Sequence, residues 1–363
     1  MSTISYAEAL RQALAEEMRR DPKVFIIGED VGGYGGTFKV TKGLIEEFGP
    51  ERVIDTPISE IAIIGAATGA AIMGHHPVAE IMYMDFLNEC GDQVINHLPK
   101  LHFMTGGKLR VPMVIRTQYS LGRNTGAQHS QFLAAFYMNI PGIMLAVPST
   151  PADAKGLLKT AIRDSNPVLF VESAALYSSK GDVPEGDYLV PFGKADVKHP
   201  GKDVTIVAIS RPVREALAAA EALSSEGISV EVIDPRTLVP LDVDTILDSV
   251  KKTGRLVTVE DGCKTSGVGA EIVARVMEGA MGYIEDVQRI ACPDIPAPFS
   301  PPLQAAYMPT KETIITTVRK MIFPNLRPRS CHIVPQANRM FPAFLLQKRS
   351  RLNRLSCGVI ISP

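Results

Sequence analysis

The chain has 363 residues, 45% of them hydrophobic and 21% charged, with a formal net charge of −1, so about two globular α/β domains are expected. Its longest apolar run, 61–73, is interrupted by Gly65, Thr68 and Gly69 and falls short of the roughly 20 residues that cross a bilayer; with no leader pattern before Leu10, a cytoplasmic location without membrane contact is expected. Residues 322–363 hold seven Lys or Arg and no Asp or Glu, which leaves −8 (−1 minus 7) for the body and excludes an electrostatic footing for nucleic acid.

Ser5 and Glu8 have capping-box spacing, and Tyr6, Leu10, Leu14 and Met18 recur every fourth residue, which predicts a helix. Strand-like runs at 24–27, 78–86, 111–116, 143–147 and 168–171 then alternate with helical ones at 61–73, 93–103 and 152–163. After a Gly-, Pro- and charge-rich stretch the alternation resumes, with strands at 204–209, 230–233, 256–259 and 287–291 and helices at 213–223, 243–251 and 268–277. Short apolar strands separated by helices imply parallel sheets covered on both faces. The expected division is a first domain over 3–175, a linker over 176–203, a second domain over 204–321, and a basic tail over 322–363. In that tail Pro324, Pro328, Pro335 and Pro342 interrupt every period, so it is expected to be disordered and extraneous.

The five cysteines, Cys90, Cys263, Cys292, Cys331 and Cys357, show no metal or redox spacing and read as reduced thiols. Glu60 stands at the entrance of the apolar helix 61–73. It could simply favour the positive end of the helix dipole; with Ile58, Ile61, Ile63 and Ile64 around it, an apolar setting that raises its pKa is expected instead. His129, in the loop beyond the strand 111–116, falls at the carboxyl end of a parallel strand, where open α/β sheets bind ligands; helix capping is the alternative. His75 and His76, beside Pro77, read as solvated. Phe86, at the end of the strand 78–86, is either core or an aromatic face for a flat ligand. The Gly32–Gly36 loop lacks G-x-G-x-x-G, and Gly267-Val268-Gly269-Ala270 lacks the third glycine, so no nicotinamide fingerprint is present.

Seven segments together resemble one family: Thr56-Pro57-Ile58-Ser59-Glu60, Asp85-Phe86, Asp92-Gln93-Val94, Ala127-Gln128-His129-Ser130-Gln131, Asp153-Ala154-Lys155-Gly156-Leu157-Leu158, Ala161-Ile162-Arg163-Asp164 with Asn166-Pro167, and Val232-Ile233-Asp234-Pro235-Arg236-Thr237. The chain resembles, from Thr3 to Arg319, the β subunits of thiamine-diphosphate-dependent pyruvate, branched-chain 2-oxoacid and acetoin dehydrogenases. The resemblance implies two open parallel-sheet domains, a transketolase-like pyrimidine-binding domain and a transketolase carboxy-terminal domain. It implies that Glu60 hydrogen-bonds the aminopyrimidine of thiamine diphosphate and promotes the imino form that takes the thiazolium C2 proton. By the same resemblance Ile58, Met82 and Phe86 line the cofactor, Glu29 exchanges protons between paired sites, and His129 meets the substrate and the lipoyl group. Met113, Ala161, Ile162, Asp164 and Asn166 match a potassium site of some members. No Gly-Asp-Gly magnesium motif occurs, so the resemblance implies an α subunit that holds magnesium and the diphosphate, an α2β2 tetramer, and a lipoyl acyltransferase core as partner. Pyruvate is the expected substrate, with acetoin or a branched-chain 2-oxoacid as alternatives; a non-catalytic scaffold subunit is the contrasting class. The polar segment Leu87-Asn88-Glu89-Cys90-Gly91 and the loop 118–125 are where this chain departs from the family pattern.

Overall fold

The computed structural model describes residues 1–323; the tail from 324 onward lies outside the described residues. The strands in chain order are β1 (Ser2–Ser5), β2 (Val24–Glu29), β3 (Val53–Thr56), β4 (His76–Ile81), β5 (Val114–Tyr119), β6 (Met144–Ala146), β7 (Val168–Ser173), β8 (Lys180–Val183), β9 (Asp196–His199), β10 (Val204–Ala208), β11 (Val230–Asp234), β12 (Thr237–Val239), β13 (Arg255–Cys263) and β14 (Asp286–Cys292). They form a seven-stranded sheet of order β12-β6-β7-β5-β4-β2-β3, a five-stranded sheet of order β14-β13-β10-β11-β9, and the pair β1-β8. Both large sheets are parallel except where β12 meets β6 and β9 meets β11. The segment 176–203 contains β8 and β9.

Sequence alternation accounts for the layering. Ile26, Val78, Val114 and Val168 face a core built with Tyr6, Leu10 and Leu14 of the helix Tyr6–Arg20 and with Leu157, Leu158 and Ile162 of the helix Pro151–Arg163. Their neighbours Ile27, Ala79, Ile115 and Leu169 face the opposite core with Ile63, Ile64 and Ala67 of the helix Glu60–Ile72. Side chains two apart share a face of a strand, so near-continuous apolar runs such as these are what a sheet buried on both sides requires. The second of these cores also takes in Val207, Ile209 and Ile233 from the five-stranded sheet, so it runs on without a break from one sheet to the other. At the amino end, Ser5 Oγ accepts the Glu8 N–H at 3.1 Å, but the Glu8 carboxylate turns to Arg11 and Gln12 rather than closing the reciprocal half of a capping box.

Several elements differ from the sequence expectation, among them β5, which runs from Val114 to Tyr119 and not over 111–116. The strand expected over 78–86 ends at Ile81, and Met84–Asn88 is a 3₁₀ turn, so Phe86 sits on a turn beyond the strand. The helix expected over 93–103 is broken at Pro99, which has no N–H to continue a ladder; a π-helical turn Asp92–His97 and a short helix Leu101–Met104 flank it. His76 begins β4 and is half-buried 3.6 Å from Asp21, where burial lowers its pKa; only His75 is exposed.

The order of the strands locates two crevices. In the seven-stranded sheet the chain runs from β2 outward to β3, then returns to the other side of β2 as β4, so the switch point lies between the carboxyl ends of β2 and β4. In the five-stranded sheet it lies between β10 and β13. The second crevice is filled from the first sheet. Tyr119, at the end of β5, is fully buried and donates its hydroxyl to Asp261 Oδ2 at 3.0 Å, while Arg211 grips the same carboxylate through Nε at 2.9 Å and Nη2 at 2.5 Å.

Candidate functional site

At the first switch point the expected residues fall at or just beyond neighbouring strand ends. Glu29 ends β2; Thr56 ends β3 and leads through Pro57 to Ser59, the residue before the helix Glu60–Ile72; Met82 follows β4; His129 lies in the loop after β5. All four strands present their carboxyl ends to one side because they are parallel, so residues far apart in sequence meet by topology.

Glu29 and Glu60 are close enough to repel. The Glu29 carboxyl is pushed up by burial first and by the Glu60 charge second, with the Ser59 N–H offsetting part of the rise. The apolar enclosure expected around Glu60 is one-sided: Ile63 and Ile64 are buried beneath it, but Ile58 is 83% and Ile61 59% exposed. A helix apolar around its whole circumference must turn one side outward when only one side meets its own sheet. Ile61 lies on that outward side, and Ile58 just before the helix and Met73 just after it are exposed as well.

Beyond the end of β4, Met82 accepts a hydrogen bond from Gln118 Nε2 on its carbonyl at 2.9 Å and from Thr37 Oγ1 on its sulfur at 3.4 Å. Phe86 and His129 meet edge to face at 5.4 Å and 76°. Tyr83, which nothing in the sequence singles out, meets His129 at 4.7 Å and 89°, Phe86 at 5.4 Å and Phe38 at 5.9 Å. Its position between Met82 and Phe86 is the one signal that could have found it. A half-buried methionine and three rings set edge to face thus lie beyond the ends of β4 and β5, with the two carboxylates at the end of β2 and the start of the helix Glu60–Ile72.

The Gly32–Gly36 loop lies nearby, but the N–H groups of Gly32 and Gly33 are held by Asp55 at 2.6 and 3.2 Å, which leaves that pair occupied within the chain. The set Met113, Ala161, Ile162, Asp164 and Asn166 brackets the junction of the helix Pro151–Arg163 with β7. There the Met113 carbonyl accepts the Val168 N–H at 2.9 Å, the Ala161 carbonyl accepts the Asp164 N–H at 3.3 Å, and Asp164 Oδ1 accepts the backbone N–H and the side-chain amide of Asn166. Among the described residues no helix is long and apolar enough to cross a membrane.

Two parallel sheets, with carboxylates and aromatic rings at the switch point of the first, define a transketolase-type α/β protein. Residues 2–180 match the transketolase pyrimidine binding domain and residues 193–314 the transketolase C-terminal domain. Of known proteins, the chain is 46% identical over 321 residues to the pyruvate dehydrogenase E1 component subunit beta of Rickettsia bellii, covering 88% of this chain and 99% of that one. It is 44% identical over 332 residues to the acetoin:2,6-dichlorophenolindophenol oxidoreductase subunit beta of Bacillus subtilis, covering 88% and 97%. A solved structure described as a split gene transketolase, inactive beta4 tetramer, is similar with a TM-score of 0.73 at 25% identity over 88% of this chain and 98% of that one. The chain belongs to the family of transketolase-type β subunits of pyruvate dehydrogenase E1 and acetoin oxidoreductase.

Proposed function

We propose that this chain is the β subunit of a thiamine-diphosphate-dependent 2-oxoacid dehydrogenase that acts on pyruvate and works only when joined to an α subunit. The observation that carries the reading is the meeting of Glu29 and Glu60 at the first switch point, with Met82 and Phe86 beyond the end of β4. Those residues would hold the pyrimidine half of thiamine diphosphate, Glu60 as a hydrogen-bond partner for a ring nitrogen and Ile58, Met82 and Phe86 as its apolar neighbours. When bound, the cofactor supplies the electron sink for decarboxylation. The protein contributes the Glu60 carboxyl as a hydrogen-bond partner for the cofactor, a second carboxyl at Glu29 that burial and the Glu60 charge push up, and His129 at the rim to meet the substrate and the lipoyl acceptor. Magnesium and the diphosphate fall to the α subunit, since no Gly-Asp-Gly occurs in this chain, and potassium is assigned to the Met113, Ala161, Ile162, Asp164 and Asn166 set.

The exposed apolar residues Ile58, Ile61 and Met73, with Phe103 at 88% and Met104 at 73% exposure, support burial against a partner. The inactive state of the β-only tetramer of the split transketolase fits the same dependence on a second chain. A lipoyl acyltransferase core would take the product acyl group. Acetoin is the second reading, favoured by the 44% identity to an acetoin oxidoreductase subunit.

The test is Glu60→Gln in the α-plus-β complex, with hydrogen–deuterium exchange at cofactor C2 as readout. Exchange should slow by about 100-fold or more while assembly persists, the range expected when a positioned acid–base group is lost. An unchanged rate would return Glu60 to stabilising the helix start. Assays on pyruvate, branched-chain 2-oxoacids and acetoin separate the substrates.

A further inference from the structure

Between β5 and the helix Ala134–Met138 the chain carries His129 at the end of a closed loop. Ser120, one residue past β5, donates its N–H to the His129 carbonyl at 3.1 Å, which pins the two ends of the loop together. Between them Gly122, Asn124 and Gly126 take positive φ of 91°, 57° and 78°. A backbone that turns left-handed at every second residue closes no helical or strand ladder of its own, so its N–H groups need other partners.

The partner comes from the second domain. Gln304, on the helix Pro301–Tyr307 and 2% exposed, accepts the N–H of Gly122 at 3.1 Å and that of Asn124 at 2.9 Å with one oxygen, Oε1. Its Nε2 donates to the Pro298 carbonyl at 3.2 Å, which fixes the direction of the amide. Two N–H groups two residues apart that converge on one oxygen form a backbone nest, a cradle that favours an oxygen bearing negative charge. The same segment of the second domain closes on both glycines: a Cβ added at Gly126 would meet Phe299 Cδ2 at 3.3 Å, and one added at Gly122 would meet Met308 Cε at 3.5 Å. Among the described residues the other hydrogen bonds of 121–126 stay within 120–130, from the Arg123 N–H to the Ser120 carbonyl and from Thr125 Oγ1 to Ser120, His129 and Ser130. Removing the Gln304 amide would therefore leave this stretch with no polar hold from outside its own loop.

We propose that Gln304 is a positioning residue for His129: from the second domain its amide oxygen fills the nest of the loop 120–129 and fixes where the imidazole stands beside Tyr83 and Phe86. It acts through the loop and touches no reacting atom. The role of His129 itself rests on the function proposed above, whereas the hold on its loop stands on these contacts and is measured separately.

The experiment uses the assembled α-plus-β complex, with backbone amide exchange of the peptide spanning 120–129, deuterium exchange at cofactor C2, and acyl transfer to a lipoyl domain as readouts. Gln304→Met keeps the bulk but offers no acceptor, so exchange at the Gly122 and Asn124 amides should quicken by about tenfold or more. Acyl transfer should fall by about tenfold or more as the histidine is misplaced, while C2 exchange, which depends on Glu60, should stay within about twofold of the parent. Gln304→Glu loses only the donor to Pro298 and gives the nest the charged oxygen it favours, so loop protection and acyl transfer should both return to within about twofold of the parent. Unchanged loop exchange in Gln304→Met, or losses as large in Gln304→Glu, would overturn the proposal, and so would a parallel fall in C2 exchange, the mark of a merely structural residue. A His129→Ala complex that retains full acyl transfer would overturn the role of His129, while quickened loop exchange in Gln304→Met would still support the hold on the loop.

Discussion

Replacing Arg211 by methionine should destabilise the chain far more than removing the Tyr119 hydroxyl, although both side chains bond the same carboxylate. Asp261 is buried completely, and Arg211 gives it two hydrogen bonds and a full charge where Tyr119 gives it one neutral bond at 3.0 Å. Without Arg211 the carboxylate is left as an uncompensated buried charge, a loss of about 3–5 kcal/mol. Tyr119→Phe leaves the guanidinium in place and should cost about 1–2 kcal/mol. Unfolding entropy of about 2.1 cal/mol/K per residue, taken over the described chain, amounts to roughly 0.7 kcal/mol/K, so the unfolding midpoints should fall by about 4–7 °C and about 1–3 °C respectively. Thermal unfolding followed by circular dichroism measures both. Equal losses in the two variants, or an Arg211→Met midpoint within about 1 °C of the parent, would refute the conclusion that the ion pair outweighs the neutral hydrogen bond.

Glu260, held up to about 7 by burial against its ordinary 4.5, accepts the N–H groups of Val268 and Gly269 at the start of the helix Val268–Ala280. Its folded pKa is raised, so the stability its proton supplies is full below about 4.5 and is lost as pH rises through about 7. The midpoint of the parent minus that of Glu260→Gln should therefore fall across that window and level off above it; a flat difference would contradict the shift. Ile61→Asp, at a position 59% exposed, should leave the unfolding midpoint of the isolated chain nearly unchanged but prevent co-assembly with the α subunit in sedimentation velocity. Normal assembly of that variant would take the outward side of this helix out of the partner interface.

Legibility in the sequence followed the range of the forces involved. The buried strands could be read because apolar runs such as Val204 to Ile209 leave little choice of face or partner. His129 could be placed beyond a strand end because a parallel sheet sends every carboxyl end the same way, whereas Glu29 and Met82 came through the family resemblance and Phe86 lies on a turn past the end of β4. What stayed hidden depended on contacts distant in sequence. The end of β4 at Ile81 and the 3₁₀ turn after it place Asp85 against Gln131, 46 residues on. The outward turn of Ile58 and Ile61 depends on which side of an all-apolar helix meets its own sheet, and a run with no polar side gives no sign of that. Tyr119 reads as part of the loop 118–125, whereas β5 runs on to it and the second sheet supplies Asp261, 142 positions later.

The short strand β12 has a consequence for how such a gene could be divided. It lies well past the segment 176–203 expected to link the domains, yet it completes the edge of the first sheet against β6 rather than joining its sequence neighbours β11 and β13 in the second. Cutting the chain between the two halves would strip the first of its border strand and leave the backbone of β6 bare, an invitation to edge-to-edge aggregation. A fragment meant to stand alone would need Thr237–Val239 grafted back, or a charged residue placed on β6 to blunt the exposed edge.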